Sequence, residues 1–391
     1  MLERLEVLPA DPLLGLIELF QSDTRPSKMD LGVGVYKDPT GATPIMPSVK
    51  QAESVILETQ QSKSYYSSEG NLRFLESAEE LVFSDPGSLN NRISACQSIG
   101  GTGGLQLGAA LSRKARSHQR IWVGTLTWPN HVAIFENAGL EVLTYDYYNP
   151  ASHQVMFDNL MSAVKRSQPG DLFLMHACCH NPTGADLDHD QWKILAHLML
   201  QYGVIPFIDS AYLGMGKSFK EDAWGLRLLV NTFPEALVAV SFSKNFGLYR
   251  ERTGVLFALS PNASCKRAVD TQLRSVARAT YSNPPDHGAE IVATILASPS
   301  LKAQWHSELT EAANHIREIR NRLASYENAG AIQLSHVKAQ NGTFSLLSID
   351  YDQVLKLRRD FGIYVPYSGR INVAGLQIET IDPFVSALHS L

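Results

Sequence analysis

Cysteine is scarce in this chain: four among 391 residues, two of them adjacent at Cys178 and Cys179. Thiols so few cannot form a disulfide framework, and their scarcity fits a reducing cytoplasm. Basic charge is not in excess either, with 34 Lys and Arg against 39 Asp and Glu and a formal net charge of -5. That balance excludes a general nucleic-acid binder, whose electrostatic footprint is basic. Any small anion must therefore meet local arginines. No apolar run approaches the roughly 20 residues that span a bilayer. The N-terminal MLERLEVLPADP lacks a basic stretch followed by an apolar core, so neither a membrane span nor a secretory leader is expected. Internal repeats and low-complexity linkers are missing too.

What is present is an ordinary globular balance, 44% hydrophobic and 19% charged, on a chain long enough for two domains and a sizeable core. Short apolar runs alternate with helical patterns, the signature of a mostly parallel sheet covered by helices. RIWVGTLTW, GDLFLMHACC, GVIPFIDS, ALVAVSFS and GVLFALS read as strands, and DQWKILAHLMLQYG as a helix closed by a left-handed glycine. A long amphipathic stretch, SLKAQWHSELTEAANHIREIRNRLASYENAG, leads towards a smaller domain that resumes the strand pattern at GTFSLLSI and ends in the helical FVSALHSL.

The stretch SFSKNFGLYRERTG, Ser241 to Gly254, carries the most chemistry. It sets Lys244 past a buried strand, among small hydroxyls, with Arg252 eight residues on. A lysine of lowered pKa can condense with a carbonyl, Ser241 and Ser243 can donate to phosphate oxygens, and Arg252 offers a bidentate clamp. GVIPFIDSAY puts Asp209 at a strand end with Tyr212 three residues on. A carboxylate there can pair with a protonated ring nitrogen, although a strand-end Asp also serves as a helix cap. HNPTG offers Asn181, in a sequence that by itself favours a plain turn. GGTGG, Gly100 to Gly104, opens a helix and so makes an anion site, with Gly101 and Thr102 as donors.

Three decoys fail. The dinucleotide fingerprint, and with it an NAD-dependent dehydrogenase, needs Gly or Ala where Gln106 stands; the phosphate loop suggested by AYLGMGKS needs Gly at Ala211. HACCH, His176 to His180, offers four metal ligands in five residues, but on a strand neighbours point to opposite faces, so no metal site is expected.

SFSKNFGLYRERTG resembles the cofactor-lysine segment of class I aminotransferases, fold-type I enzymes that use pyridoxal 5'-phosphate, and within them the aspartate and aromatic amino acid subgroup. The resemblance runs through LGVGVYKDPTG, SYYSSEG, GGTGG, TWPNH, HACCHNPTG, DSAYLG, ATYSNPPDHG and SGRINVAG in order. It implies an α/β fold with a large cofactor-binding domain over residues 45–311 and a small α/β domain from 312–391 that packs with the N-terminal segment 1–44. It assigns Lys244, Asp209 and Tyr212 to catalysis. Asp209 would meet the ring nitrogen, Tyr212 and Asn181 the ring oxygen, and Trp128 the ring face. Gly101, Thr102, Ser241, Arg252 and, from a partner chain, Tyr65 would hold the phosphate. Gly34 would lie beside the substrate, Arg370 would bind its α-carboxylate, and Arg278 of a neighbouring subunit its distal carboxylate. His131 and His176 would support Asp209. Gly100 stands where the family often has serine, which removes one donor.

These carry-overs imply a homodimer with shared sites, in the cytoplasm, with amino acids and 2-oxo acids as small-molecule partners and no nucleic acid. Val35, Lys37, Thr43, Thr102 and Asn283 resemble the aspartate-preferring members, while Ser64 matches neither side. The expected reaction is transfer from L-aspartate to 2-oxoglutarate by a ping-pong mechanism, with aromatic amino acids as further or main substrates. A non-catalytic cofactor-binding regulator would need a broken constellation, and Lys244, Asp209, Tyr212 and Arg370 are all present.

Overall fold

The apolar runs become the strands of one seven-stranded sheet in the computed structural model, which describes residues 1–7, 12–85, 87, 89 and 91–391. Part of MLERLEVLPADP, residues 8–11, lies outside the described residues. The strands are β1 (Ile93–Ile99), β2 (Arg120–Thr125), β3 (Glu141–Asp146), β4 (Leu172–His176), β5 (Ile205–Ser210), β6 (Ala236–Ser241) and β7 (Thr253–Leu259). Their order in space is β1-β7-β6-β5-β4-β2-β3. Every pairing from β6 to β3 is parallel, and β7 runs antiparallel to both neighbours. Strands β6 and β7 are buried along their whole length, which is why they read as continuous rather than alternating apolar runs.

Helix α1 (Gly100–Ala115) follows β1 and lies on the sheet. Its glycines permit that closeness: a Cβ on Gly108 would stand 2.5 Å from Phe207 Cζ, and one on Gly104 3.2 Å from Ala239 Cβ. Leu105, Leu107, Ile121, Val123, Phe207 and Leu256 share the core between helix and sheet, each contributing roughly 1.5–3 kcal/mol by leaving water. Helix α2 (Asn130–Asn137) follows β2, and α3 (His189–Gln201) follows β4, opened by a capping box at Asp188. The chain leaves α3 through Gly203 at φ +66°, the left-handed exit its sequence called for.

Because β1, β2, β4, β5 and β6 run the same way, their C-terminal ends share one edge of the sheet. In parallel sheets that edge is where ligands bind. Gly100, Trp128, Asn181, Tyr212 and Lys244 all lie just beyond strand ends on this edge, and antiparallel β7 starts there, directly after Arg252.

The chain divides into two compact units, Pro44–Asn314 around this sheet, and Met1–Thr43 with His315–Leu391. In the second unit Met29–Asp30 pairs with Ile363–Tyr364, and Phe344–Leu346 pairs antiparallel with Arg370–Asn372. Its own core includes Leu31, Leu323, Val354, Leu357, Ile371 and Phe384. Arg320, 2% exposed, donates to the carbonyls of Val337, Gly342 and Phe344 and so knits the turn before Phe344.

Candidate active site

Strand β5 delivers Asp209 at its last-but-one position, level with His176 of β4 and Ala239 of β6. The carboxylate is buried, and Oδ2 stands 3.0 Å from His131 Nε2 on α2. A carboxylate only accepts, so that ring nitrogen carries the proton. Thr127 Oγ1 lies 2.8 Å from His131 Nδ1 and 3.3 Å from His176 Nε2, and His176 Nδ1 accepts from the Asn181 N–H at 3.1 Å. The relay thus runs from a backbone amide through two imidazoles to Asp209. Burial works to raise the Asp209 carboxyl, but the His131 hydrogen bond and the surrounding charges prevail and hold it below its usual range. Burial, aided by His131, lowers His176 to about 3, so its ring is neutral.

Lys244 lies three residues beyond β6, its Nζ 5.0 Å from the centre of the Tyr212 ring. Desolvation lowers its pKa to about 8; Asp209 works against the shift and Arg252 adds to it. Beside it lies a cradle whose helix end carries no acid. Helix α1 starts at Gly100 with no acidic residue in its first turn and no side-chain cap, which leaves the helix end to an outside anion. Gly101 lies so near Ser241 that a Cβ on it would be 3.2 Å from the serine Cβ. Arg252 Nη1 donates to Ser243 Oγ at 3.2 Å and to the Tyr249 carbonyl at 3.2 Å, which turns the guanidinium over Gly100. Gly100 takes φ +64°, and a Cβ there would stand 2.6 Å from Arg252 Nη2. The space a serine side chain would take is therefore filled by the arginine.

This donor set suits a phosphorylated aldehyde: an amine of lowered pKa for the carbonyl, a buried carboxylate for a ring cation, and a helix end, two serines and an arginine for the phosphate. Asn181 and Tyr212 are 8% and 6% exposed. Trp128 is partly buried, edge-on to His131 with ring centres 5.2 Å apart.

Other sequence candidates lie apart from this cluster. Tyr65 is 94% exposed, and Arg278 is exposed on the last turn of α4 (Ala263–Thr280), where it donates to Ser282 Oγ. Both line a surface groove with Ser67, Tyr281 and Asn283. Ser64 is exposed as well. Arg370 and Gly34 belong to the smaller unit. There Arg370 donates from Nη2 to the Gly32 carbonyl at 2.7 Å, and its guanidinium lies 4.1 Å from the centre of the Phe344 ring. A Cβ on Gly34 would stand 2.4 Å from Phe344 Cζ, so the glycine makes room for the aromatic platform beneath the arginine.

One expectation fails in its premise. Strand β4 ends at His176, so HACCH is not a strand and alternation does not separate its side chains. Cys179 turns left-handed at φ +53°, the His176 and His180 rings stack with centres 4.2 Å apart, and the Cys178 and Cys179 sulfurs lie within 4.8 Å of each other and of an Asp222 oxygen. Ligand atoms of His131, His176 and Asp209 converge to the same degree. RIWVGTLTW likewise stops as a strand at Thr125, which frees Thr127 and Trp128 to face the site. The sequence reading missed Thr127, whose only signal was a hydroxyl between a strand and Trp-Pro, and Phe344, the third residue of GTFSLLSI.

A lysine, a histidine-backed carboxylate and a phosphate cradle at the carboxyl edge of a mostly parallel sheet define an α/β enzyme built to hold a phosphorylated cofactor by an amine. The chain belongs to the aminotransferase class I and II family, whose model matches residues 26–388. It is 42% identical to an aspartate aminotransferase of Salmonella typhi over 392 residues, covering 99% of each chain. It is 46% identical to a tyrosine aminotransferase of Rhizobium meliloti over 367 residues, 94% of each. Among solved structures, an aromatic-amino-acid aminotransferase from Burkholderia pseudomallei, covalently bound to pyridoxal phosphate, superposes with a TM-score of 0.96 at 38% identity, covering 100% of this chain and 99% of its own.

Proposed function

We propose that this protein is an amino acid aminotransferase that uses pyridoxal 5'-phosphate and transfers the amino group of L-aspartate, and also of aromatic amino acids, to 2-oxoglutarate. The observation that carries the reading is Lys244, its pKa lowered to about 8 beside the histidine-backed Asp209. When bound, the cofactor supplies the carbonyl that takes up the amino group and an electron-poor ring to accept the bonding electrons. Lys244 Nζ, neutral for a useful fraction of the time near pH 8, takes the proton from the amino acid's α carbon and later returns it. Asp209 stays ionised, held by His131 at Oδ2, and would keep a proton on the ring nitrogen. Tyr212 and Asn181 would donate to the ring oxygen, while Gly101, Thr102, Ser241 and Arg252 would keep the phosphate in place and Trp128 would cover the ring.

Arg370 is assigned the substrate's α-carboxylate and Gly34 a place beside the substrate. Arg278 and Tyr65 are assigned to the site of a second copy of the chain. Their exposure supports a homodimer, as does the exposure of Val55 and Leu57 on Pro47–Thr59, the latter at 86%. Among the described residues no helix is long and apolar enough to cross a membrane. The free thiols fit a cytoplasmic setting. Relatives named for tyrosine or aromatic amino acids keep aromatic transfer as the main activity in contention.

The test is the visible absorbance of the purified protein with pyridoxal phosphate, before and after aspartate and, separately, phenylalanine. We expect a pH-sensitive band that falls with either amino acid, aspartate acting at the lower concentration. Phenylalanine acting at the lower concentration would make aromatic transfer the main activity. No band at any pH would overturn the assignment.

A further inference from the structure

The loop AYLGMGKS, Ala211–Ser218, lacks the glycine that a phosphate loop needs, yet its backbone N–H groups do converge on an anion. The anion is the protein's own. Asp222 Oδ2 accepts from the N–H groups of Gly214 and Gly216, and Oδ1 from that of Lys217, each at 2.9 Å. Such a concave run of amides favours a carboxylate strongly.

Asp222 is 6% exposed and closes the short helix Phe219–Asp222, tied back through its own N–H to the Ser218 carbonyl at 2.8 Å. Helix Trp224–Thr232 begins two residues later and is seated at Gly225, where a Cβ would lie 2.4 Å from Trp192 Cε2 on α3. The carboxylate therefore rides on a helical base rather than on the loop it holds. Its other neighbours are the thiols of Cys178 and Cys179, with Asp186 the further acid in its field. Burial, with a smaller push from Asp186, raises the pKa to about 6 against the three N–H bonds, which leaves the carboxylate ionised at neutral pH.

The loop that Asp222 holds begins at Tyr212. The Tyr212 carbonyl accepts from the Met215 N–H at 3.0 Å, a four-residue turn with Gly214 third at φ +87°, as a type II turn requires. The N–H of that same Gly214 reaches Asp222. One turn thus links the carboxylate to the backbone of a side chain whose ring centre lies 5.0 Å from Lys244 Nζ.

We propose that Asp222 is a positioning residue for the transfer reaction: its carboxylate clamps the turn that carries Tyr212 and so fixes the Tyr212 ring beside Lys244. The inference rests on the role given to Tyr212 above. Loss of the clamp would displace Tyr212 without touching substrate, and a misplacement of about 1 Å can cost up to about 10²-fold in rate.

The test uses the holoenzyme in five forms: Asp222→Asn, Gly216→Ala, Tyr212→Phe, and each of the first two combined with Tyr212→Phe. Asparagine turns an amino group towards amide donors. Alanine at 216 leaves the charge but puts a Cβ 2.6 Å from Asp222 Oδ1, so it disturbs the clamp from the other side and decides alone if Asp222→Asn does not fold. Two quantities are read, kcat with aspartate and the pH midpoint of the cofactor's visible absorbance without substrate. We expect each clamp variant to lower kcat about ten- to a hundredfold and to displace the midpoint in the same direction as Tyr212→Phe. Neither should add to Tyr212→Phe in the double variants, because coupled residues are not additive. Additive losses, or an unmoved midpoint in the clamp variants, would overturn the inference while leaving Tyr212 its role. A Tyr212→Phe protein with wild-type midpoint and rate would remove that role, and the inference with it.

Discussion

The cradle around Lys244 and the groove at Tyr65 and Arg278 lie in the same unit and differ in almost every physical respect. Around Lys244 the charged groups are held in turn: Asp209 by His131, His131 by Thr127, Arg252 by Ser243 and the Tyr249 carbonyl. At the groove Tyr65 is almost wholly exposed and Arg278 holds only to Ser282 among the described bonds. A preorganised site has its conformational entropy cost met by folding, whereas exposed long side chains meet it on binding. The contrast separates what one chain completes alone from what, in the homodimer proposed above, a second copy would order.

The largest effect should come from breaking the cradle. Lys244→Ala should retain pyridoxal phosphate through the helix end, the serines and Arg252, yet lose about 10⁴-fold in turnover; near-wild-type activity would sink the assignment. Next in size is a change at the groove. Arg278→Ala should cost roughly 10²-fold in kcat/KM for aspartate, the scale of a lost buried charge pair, and far less for phenylalanine. Equal losses for both substrates would refute the distal-carboxylate role. The smallest effect belongs to the cofactor-free protein. Lys244 has its pKa lowered from the ordinary 10.5 to about 8, so between those values the unfolded chain holds a proton that the fold has released, and stability rises with pH across that window. Lys244→Met should therefore stabilise the cofactor-free protein at pH 7 by about 1–2 kcal/mol, a figure reduced because the side chain is not wholly buried. Denaturant unfolding should show that gain shrinking from pH 8 to 10.5, and a gain independent of pH would mean that Lys244 carries no desolvation cost.

Much of the sheet was legible because buried parallel strands such as ALVAVS carry nothing but apolar and small residues. β1 and β3 escaped notice for opposite reasons. ISACQSI buries Gln97 and Ser98, whose hydrogen bonds to the Pro285 and Gly100 carbonyls are non-local or depend on the turn that follows. EVLTYD is a largely exposed edge strand with no apolar stripe. In the site, Lys244, Asp209 and Arg252 could be found from residue type and strand ends. Thr127, Phe344 and Asp222 could not, because each acts through a neighbour distant in sequence or through backbone amides, which leave no mark on composition. HACCH misled because the sequence does not show that β4 stops at its first residue.

The reversed strand β7 makes this site intolerant of changes in length. Its register is pinned on both sides, Thr253 against Ile99 and Gly254 against Ser241, with Gly254 so near Gly100 that a Cβ would lie 2.5 Å from the Gly100 carbonyl carbon. One residue inserted between Lys244 and Arg252 would either slip β7, turning its buried faces inside out, or bulge the connection and swing the guanidinium off the helix end. Substitutions can retune the pocket, whereas a change of length between 242 and 252 moves either the strand or the arginine, so loops that no strand holds in register are where this enzyme can vary in length without disturbing the Arg252 clamp.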